Sequence, residues 1–104
     1  MLYFIEVVLP LAVSKTFTYQ VSEAEFHYIQ IGMRVAVPFG KTKIYTALVL
    51  DKTNTPPQLY EAKEIHQILD EKPVVNSHQI EHWKWIASYY MCSLGEVFRS
   101  ALPS

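Results

Sequence analysis

Gly32-Met33-Arg34-Val35-Ala36-Val37-Pro38-Phe39-Gly40-Lys41 is the stretch on which the fold turns. Met33, Val35 and Val37 alternate with Arg34 and Ala36, the period of two expected of a half-buried strand. Pro38 has no N–H to give to a sheet ladder, so the strand is expected to stop there. Gly40 permits a positive φ and leaves the main chain bare of a Cβ. The strand therefore runs into a rigid, exposed turn that presents the ring of Phe39, open backbone and the cation of Lys41. Such a turn suits a ligand site better than a plain connector.

Gly40-Lys41-Thr42 has the look of the end of a phosphate-binding loop. That loop needs a second glycine five residues before Gly40, where this chain has Val35. Lys43-Ile44-Tyr45-Thr46-Ala47-Leu48-Val49-Leu50 is β-branched and aromatic, not helix-opening. A nucleotide-hydrolysing site fails on both spacing and context.

Outward from this stretch, strands are expected near 2–9, 16–21, 33–38, 44–50 and 62–69, with one helical turn within 23–30. Phe39 to Lys43 is short enough for a hairpin. Short connectors without a long intervening helix favour antiparallel pairing, hence a small sheet curled toward a barrel. After Asp70-Glu71-Lys72-Pro73 the period changes. Ile80, Trp83, Ala87, Tyr90 and Met91, with Ile86 alongside, recur at helical spacing, which predicts a helix near 77–91 capped by Asn76 or Ser77. Ile80, Trp83, Ala87 and Tyr90 are expected to pack on the sheet. Ser93-Leu94-Gly95-Glu96 has capping-box spacing, so a second helix should run to about Ala101, with Pro103 closing it. The fold class is thus α+β, one domain over 1–104. Its β-rich body spans about 1–72, and a C-terminal helical pair spans about 76–102.

The 104 residues are enough for one modest core, and 50% are hydrophobic. The single cysteine, Cys92, cannot form an internal disulfide and fits a reducing compartment as a half-buried apolar residue. Leu2 to Val8 is apolar but lacks a basic lead-in, contains Glu6 and meets Pro10. It reads as a buried first strand, neither a signal peptide nor a membrane span. A net charge of −1 argues against a protein that coats long stretches of phosphate backbone. Residues 1–63 carry six bases against five acids, and the remainder three against five. That allows a basic pocket but no broad basic face.

His78 and His82 lie four apart on the expected helix but lack a third ligand and the glutamate of a zinc-protease helix, so they read as surface histidines. No metal site is expected. Glu6, Glu61, Glu64 and Asp70 form no pair placed for acid–base work. Trp83 reads as core; Trp85 reads as partly exposed, or covered by a neighbouring domain of a longer protein. In Thr16-Phe17-Thr18-Tyr19, Phe17 and Tyr19 share one strand face and the threonines the other. Phe17 either joins the core or lines a pocket beside Gly40.

Several of these stretches coincide with one family. Leu9-Pro10, Thr16-Phe17-Thr18-Tyr19 and Gly32 to Lys41 resemble the N-terminal domain of primosomal protein N′, the PriA replication-restart helicase. The resemblance continues through Lys63-Glu64-Ile65, Leu69-Asp70, Ile86-Ala87-Ser88-Tyr89-Tyr90, Leu94-Gly95-Glu96-Val97 and Ala101-Leu102-Pro103. It spans essentially the whole chain in order. It implies binding of the free 3′ end of a DNA strand, as the nascent leading strand presents it at an arrested fork. It implies Phe17 against the terminal base, Thr18 at the base edge, and Gly40 and Lys63 at the terminal sugar, with Tyr19, Phe39 and Lys41 as accessory residues. Many members have aspartate where this chain has Thr18, whose hydroxyl donates and accepts without charge.

The resemblance also implies that the chain is a non-enzymatic fragment, monomeric and without a cofactor of its own. Its parent would be an ATP-dependent 3′–5′ helicase of the bacterial cytoplasm, nucleoid-associated at forks, working with primosome proteins. ATP, magnesium and zinc would belong to the remaining domains. Two other classes fit a curled sheet: an OB-like module for single-stranded nucleic acid, which would use an open aromatic face, and a protein-interaction domain with an apolar patch.

Overall fold

The structure, a computed structural model, describes residues 1–58 and 60–102. Five strands, β1 (Tyr3–Val8), β2 (Phe17–Val21), β3 (Arg34–Phe39), β4 (Lys43–Thr53) and β5 (Gln67–Ile68), form one sheet in the order β2-β1-β4-β3-β5. Every ladder is antiparallel. Helix α1 (Glu23–Tyr28) crosses between β2 and β3, and α2 (Ser77–Tyr89) and α3 (Leu94–Ala101) follow the sheet. This is the α+β arrangement expected. Pro103, expected to close α3, lies outside the described residues.

Alternation places the core. Ile5 and Val7 of β1, Tyr19 and Val21 of β2, Val35 and Val37 of β3, and Ala47 and Val49 of β4 fill the concave face with Leu9 and Ile29. The residues between them point the other way: Val8 and Leu48 meet Ile80, Trp83 and Ala87 of α2 and Val97 and Phe98 of α3. Central strands β1 and β4 are thus apolar on both faces because each face is covered.

Asn76 and Ser93 begin α2 and α3 through reciprocal capping boxes with Gln79 and Glu96. Gly95, in the first turn of α3, lets that helix press onto the chain after β1: a Cβ there would stand 2.2 Å from the carbonyl oxygens of both Leu9 and Leu11.

Three expectations are corrected. First, β3 does not stop at Pro38; it pairs through Pro38↔Ile44 and Phe39↔Lys43. The carbonyls of Arg34 and Ala36 accept from Leu69 and His66 N–H, so even-numbered positions of β3 face away from β4. Pro38 is such a position, beyond the end of β5, and its missing N–H leaves no rung empty.

Second, the strand expected over 62–69 shrinks to Gln67–Ile68. Its first part pairs with the opposite edge of the sheet: Gln20 N–H donates to Lys63 O at 2.8 Å and Ile65 N–H to Gln20 O at 3.3 Å, in a single parallel bridge to Glu64. The segment then crosses to β3. It cannot be one strand because it joins both edges and draws the curled sheet toward closure.

Third, Tyr90 does not pack on the sheet. The helix ends at Tyr89, Met91 takes φ 56°, and both Tyr90 and Met91 turn out to solvent, 69% and 93% exposed. Leaving the helical path at residue 90 breaks the periodicity that placed Tyr90 with Ile80, Trp83 and Ala87.

Candidate nucleic-acid interface

The closing segment makes the site. Where it meets the ends of β2 and β3 lies a cavity of about 250 Å³ lined by Phe17, Thr18 and Tyr19, by Pro38, Phe39 and Gly40, and by Tyr60, Glu61 and Lys63. Three stretches distant in sequence therefore share one pocket.

β2 supplies the aromatic wall. Phe17 is opposite Val7 and Tyr19 opposite Ile5, so both rings lie on the concave side. Tyr19 is fully in the core, whereas Phe17 is half-buried at its margin. Phe39 meets Phe17 edge-on at 5.2 Å and Tyr45 at 5.8 Å, and Lys15 Nζ sits 5.3 Å from the Phe17 ring centroid. Phe17 thus belongs to both of its expected settings: its ring packs against the core and also lines the pocket.

The Tyr19 hydroxyl donates to Pro38 O at 2.7 Å and ties β2 to β3 at the pocket floor. Burial, and then the neighbouring Tyr60, pushes this phenol up to about 12, so it stays a neutral donor.

β3 and its hairpin supply open backbone. Gly40 has φ 71°, the left-handed conformation that a turn between Phe39 and Lys43 needs, and a Cβ there would meet nothing within 4 Å. Lys63, anchored through its carbonyl to Gln20, donates from Nζ to Gly40 O at 3.2 Å. The pocket thus brings together the four residues singled out for the site, Phe17, Thr18, Gly40 and Lys63, with Tyr19 and Phe39. Lys41 is exposed in the same turn and does not line the cavity.

Tyr60 and Lys15 were not singled out from the sequence, and Glu61 was weighed there only as a carboxylate for acid–base work. Tyr60 accepts at its hydroxyl from Thr18 N–H, at 2.8 Å. An aromatic and an acid just before Lys63, in a connector begun by Pro56-Pro57, are the signal present in the sequence. Only the closing of the sheet shows what they face.

Chemically the pocket offers an aromatic surface, a primary ammonium, a carboxylate and main-chain donors and acceptors. Lys63 and Glu61 nearly cancel in charge. Such groups can stack a flat ring and hydrogen-bond a hydroxyl, and they can neutralise few phosphates.

A larger groove of about 420 Å³ lies across the outer side of β4 beside α3. Its Arg34 is committed to Asp70 through Nε and Nη2, at 3.0 and 2.9 Å. No group of three or more His, Cys, Asp or Glu side chains among the described residues is placed to hold a metal. Among them, too, no helix is long and apolar enough to cross a membrane.

Residues 6–103 match the family described as the 3′ DNA-binding domain (3′BD) of PriA. The chain is 41% identical over 78 residues to the replication restart protein PriA of Haemophilus influenzae, covering 72% of this chain and 10% of that protein. It is 26% identical over 104 residues to the replication restart protein PriA of Treponema pallidum, covering 96% and 16%. For the replication restart protein PriA of Rickettsia felis the figures are 32% over 78 residues, 72% and 11%. The chain thus spans 10–16% of the length of these curated relatives.

Proposed function

The chain belongs to the PriA 3′ DNA-binding domain family, and on that premise we propose that its rim pocket receives the last nucleotide of a DNA strand and reads its 3′-hydroxyl. The observation that carries the reading is the shared cavity: Phe17, Thr18, Gly40 and Lys63 come from distant stretches and line one space. Phe17 stacks on the terminal base, an interaction open to all four bases because each has a π-face. Thr18 meets the base edge, through its hydroxyl or its main chain. Bare backbone at Gly40 lets the sugar come close, and Lys63 donates to that sugar or to the phosphate on its 5′ side.

A 3′ end differs from any internal nucleotide by a free hydroxyl and by the lack of a following phosphate. Glu61 bears on both. Its carboxylate accepts from a hydroxyl and repels a phosphate placed beside it. The near-neutral charge of the domain fits a site that touches one end of a strand.

In this reading the domain is a monomeric binding fragment without cofactor. Its parent is a cytoplasmic ATP-dependent 3′–5′ helicase with the ATP, magnesium and zinc sites, and it delivers that helicase to arrested forks for primosome assembly.

Fluorescence anisotropy with one labelled oligonucleotide, ending in a 3′-hydroxyl or a 3′-phosphate, tests the proposal. The hydroxyl end should bind about tenfold tighter or more, the equivalent of about 1.4 kcal/mol. Equal affinities would end it.

A further inference from the structure

Tyr60 holds a rung that the sheet leaves open. Along β2 the even-numbered main-chain groups point off the edge, away from β1; at Gln20 that N–H is taken by Lys63 O. At Thr18 the equivalent N–H has no main-chain acceptor among the described residues; the Tyr60 hydroxyl, which lines the pocket with Thr18, accepts it at 2.8 Å. Tyr60 is 47% exposed and comes from a connector, not from a strand or helix. The other phenol of the pocket, Tyr19, is already committed to Pro38. A main-chain donor of the pocket is thus occupied by a half-exposed side chain from a connector.

Resting on the pocket reading above, we infer that Tyr60 is a specificity-determining residue that levels base preference: its hydroxyl stands in for a base acceptor on Thr18 N–H and gives way to one. When a base with an edge acceptor enters, one neutral hydrogen bond replaces another and the exchange is close to even. When the terminal residue has no acceptor in reach, Tyr60 stays and the Thr18 N–H keeps its partner. Stacking on Phe17 then decides affinity, and the hydrogen bond contributes little to any difference between ends.

Tyr60→Phe keeps the ring and removes the stand-in. Anisotropy is measured with two 3′-hydroxyl oligonucleotides, one ending in thymidine and one in an abasic deoxyribose. The thymidine end should bind Tyr60→Phe about two- to tenfold tighter than wild type, the worth of one neutral hydrogen bond, while the abasic end is unchanged. In the DNA-free protein, the Thr18 amide should exchange with deuterium faster in Tyr60→Phe than in wild type. An unchanged thymidine-to-abasic ratio, weaker thymidine binding or an unchanged Thr18 exchange rate would each overturn the inference. Phe17→Ala serves as the control on the premise. If it leaves thymidine binding intact, the pocket reading has failed, and the levelling role with it; if it weakens binding while Tyr60→Phe does nothing, the role of Tyr60 alone has failed.

Discussion

Gly95 and Gly40 mark two regions built on opposite principles. At the seam between α3 and the end of β1, a Cβ on Gly95 would lie 2.2 Å from two carbonyl oxygens, whereas at the rim a Cβ on Gly40 would meet nothing within 4 Å. The seam needs glycine for closeness: Ser93 caps α3 there and its hydroxyl also donates to Leu11 O at 3.2 Å. The rim needs glycine for a left-handed turn, and the space beside it is empty of protein. The seam is a finished joint whose contacts are used in folding. At the rim an aromatic, an ammonium and open backbone still have contacts to make. Mutations at the seam should therefore appear in melting curves, and those at the rim in binding curves.

Gly95→Ala carries the largest expected effect. Its new Cβ faces backbone, not the flexible end of a side chain, so the overpacking should cost about 3 kcal/mol. For a domain of this size that lowers Tm by roughly 12 °C or more. At low temperature the folded fraction should still bind a 3′-hydroxyl end with wild-type affinity. A wild-type melt would break the comparison from the seam side.

Phe17→Ala should be the mirror image. Loss of stacking costs about 1–3 kcal/mol of binding, and Tm should fall less than in Gly95→Ala because the ring is only half-buried. Titration of the labelled 3′-hydroxyl oligonucleotide alongside a thermal melt gives both numbers. A large drop in Tm with unchanged affinity would make Phe17 purely a core residue and remove the rim's distinction.

Gly40→Ala sharpens the contrast further. An L-residue at φ 71° costs about 1–2 kcal/mol of stability, with no clash to add to it. Affinity should fall beyond what that modest destabilisation explains, since the methyl would intrude where the proposed pocket receives the sugar. Unchanged affinity would show that no ligand comes near this backbone.

Arg34 and Asp70 fasten the far end of the closing segment to β3. The Arg34 guanidinium, and then the Arg34 main-chain N–H, hold the Asp70 carboxyl below its ordinary value, against the opposing effect of burial. A folded-state value lower than the unfolded one means a contribution that is complete above the ordinary carboxylate value. It is lost as the pH falls through the lowered one. Arg34 is partly exposed, so about 1 kcal/mol is the expected scale after solvent screening. Tm should drop on acidification through that range, and Asp70→Asn should flatten the drop. An acid limb identical in the variant would mean the fastening is idle.

Salt should move binding least. A terminal pocket touches about one to three phosphates, and single strands lose about 0.7 in log–log slope for each. The slope should thus stay shallower than about −2, and one steeper than about −4 would point to a groove that follows the strand.

Much of this was legible because it is local. Alternation in β3 placed Met33, Val35 and Val37 inside, each 0% exposed. The Ser93–Glu96 spacing announced the start of α3, and the Phe39–Lys43 link is the hairpin expected. Trp83 is buried and Trp85 is 58% exposed, as helical spacing requires. The misses came where distant partners rule. Pro38 continues a strand because its N–H side lies beyond the reach of β5. Residues 63–69 divide their hydrogen bonds between Gln20 on one edge and Arg34 and Ala36 on the other.

The sequence by itself determined the elements other than β5, the inner and outer faces of the strands, the permissive turn at Gly40 and, through motifs in order, the family. Side-chain period, capping and φ preference act within a few residues and are written in the neighbours. Only the tertiary structure decided that Tyr60 covers the Thr18 N–H, that Glu61 lines one cavity with Phe17 and Gly40, and that Lys63 reaches Gly40. Those contacts exist because the chain between residues 60 and 69 joins two sheet edges that meet only when the sheet curls, and no local preference records where two distant edges will meet.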